Sequence, residues 1–146
     1  MATARRRFGD MAYKRNDFKD KVKECLSGAI VEFYKARLAL KNGQTKWTVH
    51  WMTEVKQLVD RKLPEEIRHS VRGFTDRRKA FDEAANEIRV DDDSFRRRAE
   101  GIVKKDYGLS RVREKLDPED TAEFWSRVAA AVDVAFAVLR SARSSR

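Results

Sequence analysis

Residues 17–43, DFKDKVKECLSGAIVEFYKARLALKNG, decide the fold class. Phe18, Val22, Cys25, Ala29, Phe33, Ala36 and Leu40 recur at intervals of four and three, the spacing that gathers side chains on one face of an α-helix. Leu26, Ile30 and Leu38 widen that stripe. The helix stops at Lys41-Asn42-Gly43, where Gly43 is free to take the left-handed conformation that closes helices.

Downstream the same period returns. Thr45 is placed to cap a second helix, on which Trp47, Trp51, Val55, Leu58 and Lys62 fall on one line. Pro64 with Glu65 and Glu66 reads as the first turn of a third, because proline needs no donor there and acids suit the positive end. Ile67, Val71, Phe74, Phe81, Ala84, Ala85 and Ile88 continue the pattern, with a break or kink at Gly73 and a new cap at Thr75 or Asp76. Asp91-Asp92-Asp93 marks a boundary, with Asp93 or Ser94 capping a helix that runs to about Tyr107. Gly108 stops it, and Ser110 can start a short turn. Asp117-Pro118-Glu119-Asp120 then opens a final helix carrying Phe124, Trp125, Val128, Ala131, Val132, Ala135, Phe136 and Leu139. Its middle, VAAAVDVAFAVL at 128–139, is apolar nearly all round, so it is either buried on most sides or paired with another chain.

No strand alternation and no internal repeat occur. The sequence therefore predicts an all-α helical bundle of five or six helices. Residues 1–9 read as a flexible basic arm, 10–140 as a single helical domain with a hinge position at 91–94, and 141–146 as a flexible basic tail.

A chain of 146 residues is one domain by size and can bury a core without staples. One cysteine, Cys25, excludes an internal disulfide, and with two histidines it cannot complete a closed zinc site. No apolar run approaches the roughly 20 residues of a membrane span. The N-terminal arginines lack the apolar stretch of a secretory signal. A cytoplasmic or nuclear protein is expected, not a secreted one.

Catalytic signals are missing. There is no glycine-rich phosphate loop and no paired ligand spacing. Cys25 sits on the apolar stripe, His50 and His69 lie on different helices, and the three aspartates lack the ordered spacing of a calcium loop. The expectation is a non-enzymatic protein with no cofactor and no metal.

Charge is the stronger signal. The net charge is +9. Residues 1–23 hold eight Lys/Arg against three acids, and 94–115 again eight against three. Between them 24–93 balance, while 116–139 are acidic. Such local excess attracts polyanions, with counterion release as the driving force. Arg5, Arg6, Arg7, Lys46, Arg77, Arg78, Arg96, Arg97, Arg98, Lys104 and Lys105 are the candidate nucleic-acid contacts, acting on phosphates and so without sequence information. Trp47 and Trp51 share a face that aliphatics continue, which favours core or dimer interface over a base-stacking platform. Trp125 and Phe136 on the final helix are the other interface candidates. Three wide apolar stripes lead to the expectation of a homodimer.

Lys46-Trp47-Thr48-Val49 and Met52 resemble a short piece of the helix by which nodavirus suppressors of RNA silencing bind duplex RNA. The resemblance spans Lys46 to Met52, and Trp51 stands where that family offers an arginine. It implies helical hairpins that dimerise and lie along an RNA duplex. From the residues alone, the leading reading is a helical RNA-binding or nucleic-acid-binding protein. A helical adaptor docking a protein partner through its apolar C-terminal helix is the alternative, and a protein resting on anionic lipid the third.

Overall fold

The computed structural model describes the backbone of residues 2–69, 74–106 and 112–144, and the side chains of 14–69, 74–106 and 112–141. All elements among them are helical. They are α1 (Ala2–Lys41), α2 (Thr45–Val55), a π-helical segment (Lys56–Lys62), α3 (Leu63–His69), α4 (Arg77–Val90), α5 (Asp92–Asp106) and α6 (Pro118–Ser144). From α2 to α3 the chain is one unbroken rod, so the described residues form five helical bodies, within the expected range.

Helix α1 is the axis. Its 40 residues span about 60 Å at 1.5 Å per residue, and α2, α4 and α5 all pack along it. The rod α2–α3 returns antiparallel, with Trp51 beside Lys35 and Leu58 beside Gly28. Helix α4 runs parallel to α1, as the pairs from Arg15 to Asp76 and from Lys23 to Glu87 require. Helix α5 reverses again and α6 closes the bundle over α3. Phe124 packs on Phe33 and Phe136 on Phe81.

The core follows the sequence stripes. Phe18, Val22, Leu26, Ala29, Ile30, Phe33, Tyr34, Leu38 and Ala39 are buried on α1, and Ile67, Phe74, Phe81, Ala84, Ala85 and Ile88 downstream. Leu40, the last member of the expected α1 stripe, is exposed. Gly43 takes φ +80°. The Gln44 N–H donates to Ala39 O and the Gly43 N–H to Leu40 O, the paired bonds of a glycine-closed helix end. The opening of α6 is also as read. Asp117 Oδ1 accepts the Asp120 N–H at 3.1 Å and Asp120 Oδ2 accepts the Asp117 N–H at 2.9 Å, a reciprocal cap.

Several expectations need correction. Helix α1 starts at Ala2, so the backbone of 2–9 is helical, not a patternless arm, and α6 runs into the expected tail as far as Ser144. Gln44, not Thr45, holds the N-cap position of α2. Asp91 alone separates α4 from α5, accepting from the Ser94 and Phe95 N–H groups, so neither Asp93 nor Ser94 is the cap. Asp76 holds the N-cap position of α4 without a side-chain capping bond, because its carboxylate pairs with Arg15. The middle of α6 is not enclosed. Val128, Val132, Ala135 and Phe136 are buried, whereas Val134 and Val138 are 63% and 47% exposed. Val71, Gly73, Gly108 and Ser110 lie outside the described residues.

Pro64, Glu65 and Glu66 do lie in the first turn of α3, and the largest difference is that α3 continues the rod with no break before it. Trp51, Val55, Val59, Leu63 and Ile67 are all buried at a constant interval of four. In a regular α-helix that interval drifts by about 40° per step, so the stripe would swing out to solvent. The wider π turn absorbs the drift, with the Leu63 N–H donating to Leu58 O five residues back. Proline lacks a donor and collides with the carbonyl four residues back in a regular helix. At the end of a wide turn it is tolerated without a break.

Trp51 is 4% exposed and lies inside this stripe. Trp51→Ala is expected to cost about 3–5 kcal/mol in urea unfolding, the range of large aromatic truncations in cores. A loss under about 1 kcal/mol would place the ring outside the core. Stability should also depend on acid. The Arg15 guanidinium holds the Glu83 carboxyl below its ordinary value, and Lys41 does the same for Asp117. A depressed folded value means that the contribution is complete above the unfolded carboxylate range and is lost as pH falls through the folded value. Urea midpoints should stay level from about pH 7 to 5 and fall below about pH 4.

Candidate nucleic-acid interface

Many of the cations are used in ion pairs between helices. Arg15, Lys19 and Lys23 on α1 pair with Asp76, Glu83 and Glu87, stitching α4 to the axis. Lys41 bridges Asp117 and Asp120 at the start of α6, and Arg37 pairs with Glu123. Arg127 reaches Asp60 at 3.2 Å. These ion pairs explain why the balanced middle of the sequence carries so many charges.

Arg96 belongs to the same class, which corrects its reading as a phosphate contact. Its Nε donates to Asp92 at 2.7 Å, and its terminal nitrogens donate to Leu116 O, Asp117 O and the Thr121 hydroxyl. The guanidinium also lies 5.5 Å from the centre of the Tyr34 ring. Tyr34 donates its only proton to Asp92, so the Thr121 hydroxyl, 2.8 Å away, donates to Tyr34. Burial, then the bond to Asp92, push the Tyr34 phenol far above its ordinary value. One buried network thus ties α1, α5 and α6 together.

The neighbouring arginines point elsewhere. Phe95, Ala99, Ile102 and Val103 turn α5 towards α1, which leaves Arg97, Arg98, Gly101 and Lys105 exposed on its outer side. Arg97, Arg98 and Lys105 make no ion pair with a described residue. Lys104 meets Glu100 at 3.4 Å, and such surface pairs along a helix are weak. Residues three and four apart are neighbours on a helix surface. Arg97 and Arg98 stand four and three positions before Gly101, and Lys104 and Lys105 three and four after it. The four cations therefore surround one glycine. Sequence reasoning misses Gly101, although its spacing from the four cations is there to be read.

The other candidates are dispersed. Lys46 is exposed on α2, away from this face. Arg77 is half-buried and donates to Arg68 O, while Arg78 pairs with Asp82 and Asp133 and covers the Phe136 ring at 5.2 Å. The side chains of Arg5, Arg6 and Arg7 lie outside the described residues. Phe136 is buried and, like Trp51, belongs to the core, not to an interface. Trp47 is 40% exposed and leans on Trp51 with ring centres 6.0 Å apart. Trp125 is half-buried under Arg89, 4.4 Å from its ring centre.

A cleft of about 260 Å³ opens between α1 and α5, lined by Arg98 and Ile102 of α5 and by Glu24, Ser27, Gly28, Val31, Glu32 and Lys35 of α1. Its mixed charges include the Lys35–Glu32 pair at 2.8 Å. Burial pushes the Cys25 thiol up to about 11, with Lys62 opposing and Glu66 and Glu24 adding to the rise, the state of an unreactive core thiol. Among the described residues no cluster of three His, Cys, Asp or Glu could hold a metal ion. No described helix is long and apolar enough to cross a membrane. No protein-family model, curated protein or solved structure matches the chain.

The arginine run should divide by function. Arg96→Gln is expected to lose about 1–3 kcal/mol, because it removes the donor to Asp92 Oδ2 and to the Thr121 hydroxyl. The double variant Arg97→Gln/Arg98→Gln should melt within about 0.5 kcal/mol of the parent, as surface changes do. Thermal melts followed by circular dichroism separate the two, and equal losses would contradict the assignment.

Proposed function

We propose that this chain is a non-enzymatic nucleic-acid-binding protein whose contact surface is the outer face of α5. One observation carries the reading. Arg97, Arg98 and Lys105 are exposed on a single face and make no ion pair with a described residue, and Lys104 is only weakly engaged. The helix dipole favours Lys104 and Lys105 at the C-terminal end, but it gives no reason for Arg97 and Arg98 in the middle. A concentrated positive face attracts phosphates and gains by displacing their counterions. None of the described residues on that face is aromatic, so bases have nothing there to stack on. The ligand is therefore a backbone-presenting one, with duplex RNA read by shape ahead of single strands.

The adaptor reading keeps one supporting observation, the exposed side of α6 with Val134 and Val138. It predicts a protein partner and indifference to α5.

Fluorescence anisotropy with short duplex RNA, duplex DNA and single strands at two salt concentrations tests the proposal. Replacing Arg97, Arg98, Lys104 and Lys105 together by Gln should weaken duplex binding across all sequences. The slope of log K against log salt should fall by about 0.7–0.9 for each phosphate that is no longer neutralised. An unchanged affinity and slope in the folded quadruple variant would remove α5 as the site and favour the adaptor.

A further inference from the structure

Gly101 is out of place by every internal criterion. It lies inside α5, where glycine costs about 1 kcal/mol relative to alanine. It is exposed, and a Cβ built on it meets nothing within 4 Å. Its φ is not positive; Gly43 is the one positive-φ residue described. No neighbour needs the space, no turn needs the freedom and no cap is formed. Gly28, also within a helix, at least faces a neighbour, since its Cβ would come into ordinary contact with Leu58 at 3.4 Å. Gly101 has none.

What surrounds it supplies a reason outside the chain. Arg97 and Arg98 lie one turn before Gly101 and Lys104 and Lys105 one turn after, so two cationic rungs stand about 10 Å apart with bare backbone between them. A glycine inside a helix marks a place where another backbone comes close. Resting on the nucleic-acid reading above, we infer that Gly101 is the contact point itself: a sugar–phosphate strand of a duplex lies across α5 at Gly101, gripped by Arg97 and Arg98 on one side and Lys104 and Lys105 on the other. The strand enters to the depth of the helix backbone because no side chain holds it off. Contact of this kind involves phosphate and sugar and carries no sequence information.

A methyl group separates this from simple electrostatic attraction. Gly101→Ala changes no charge, so a diffuse cationic patch would be indifferent to it. Contact at the backbone would not be. In the full-length protein, Gly101→Ala should raise the thermal midpoint, because alanine is the better helix former. The same variant should bind short duplex RNA roughly tenfold more weakly, the factor that 1.4 kcal/mol represents, with a smaller salt slope. Gly101→Leu should weaken binding further. Duplex DNA run in parallel reports whether the ribose matters, since the phosphate strand is common to both. If both variants bind duplexes with the parent's affinity and slope, the inference about Gly101 is overturned. If the quadruple Gln variant also binds as the parent does, the α5 interface falls with it. If that variant loses binding while Gly101→Ala and Gly101→Leu keep it, the face stands and only the close approach at Gly101 is wrong.

Discussion

From Ala29 to Ala39, α1 has solvent on almost no side, and the rest of the structure answers to that constraint. Nine of these eleven residues are buried, with only Glu32 and Arg37 partly open. A helix enclosed this way satisfies its own backbone, so the difficulty is any polar side-chain atom it carries inwards. Lys35 settles its ammonium on Glu32, and Tyr34 carries the other such atom. Its hydroxyl is matched by Asp92 and Thr121, and their remaining valences by Arg96, which in turn donates to Leu116 O and Asp117 O. The start of α5 and the start of α6 are both fixed by a single phenol on the axis. Removal of any member strands the others, which is why a fully satisfied network specifies one arrangement more strongly than apolar packing does.

Helix existence is legible in the sequence because burial follows period, and the stripes on α1, α4 and α6 mark their core faces, with Leu40 exposed and Trp125, Ala131 and Leu139 only partly buried. The π-helical segment is not legible. An interval of four sustained from Trp51 to Ile67 is ambiguous on its own: it is a drifting α-helical face or a sign that the turn has widened. Pro64 has the look of a start because proline is favoured in first turns. In the structure the same lack of a donor makes it compatible with a turn that has given up its regular bonds. Caps differ from expectation for a similar reason. Asp76 holds its expected position before α4, but a stronger partner, Arg15, claims the carboxylate that would have capped it.

The candidate site is legible as composition and illegible as geometry. Three arginines in succession leave a helix about 100° apart, so no helix can present all three to one ligand. The clue to which one turns inward is present: Asp92 lies four residues before Arg96, the spacing of a helical ion pair, and neither Arg97 nor Arg98 has so complete a set of partners. Counting charges by segment gives all three equal weight. What decides their roles is the apolar face of α5, Ala99 and Val103 above all, which sets the rotation of the helix on α1.

That rotation leaves α5 with two local choices the fold does not reward. Like charges gathered on one face repel, and a glycine in the middle of a helix weakens it. Either alone is unremarkable on a protein surface. Both at once, with the glycine at the centre of the charges, form a conflict between local preference and the global structure, and such conflicts are expected where a sequence serves something other than its own stability. Phosphates would resolve both terms together. They neutralise the repulsion, and a strand lying against the bare backbone replaces the side chain that glycine lacks. A protein partner docking on α6 would resolve neither, since Val134 and Val138 belong to a different helix, which packs over α3. The reading that accounts for α5 as it is built is the one in which a polyanion completes it.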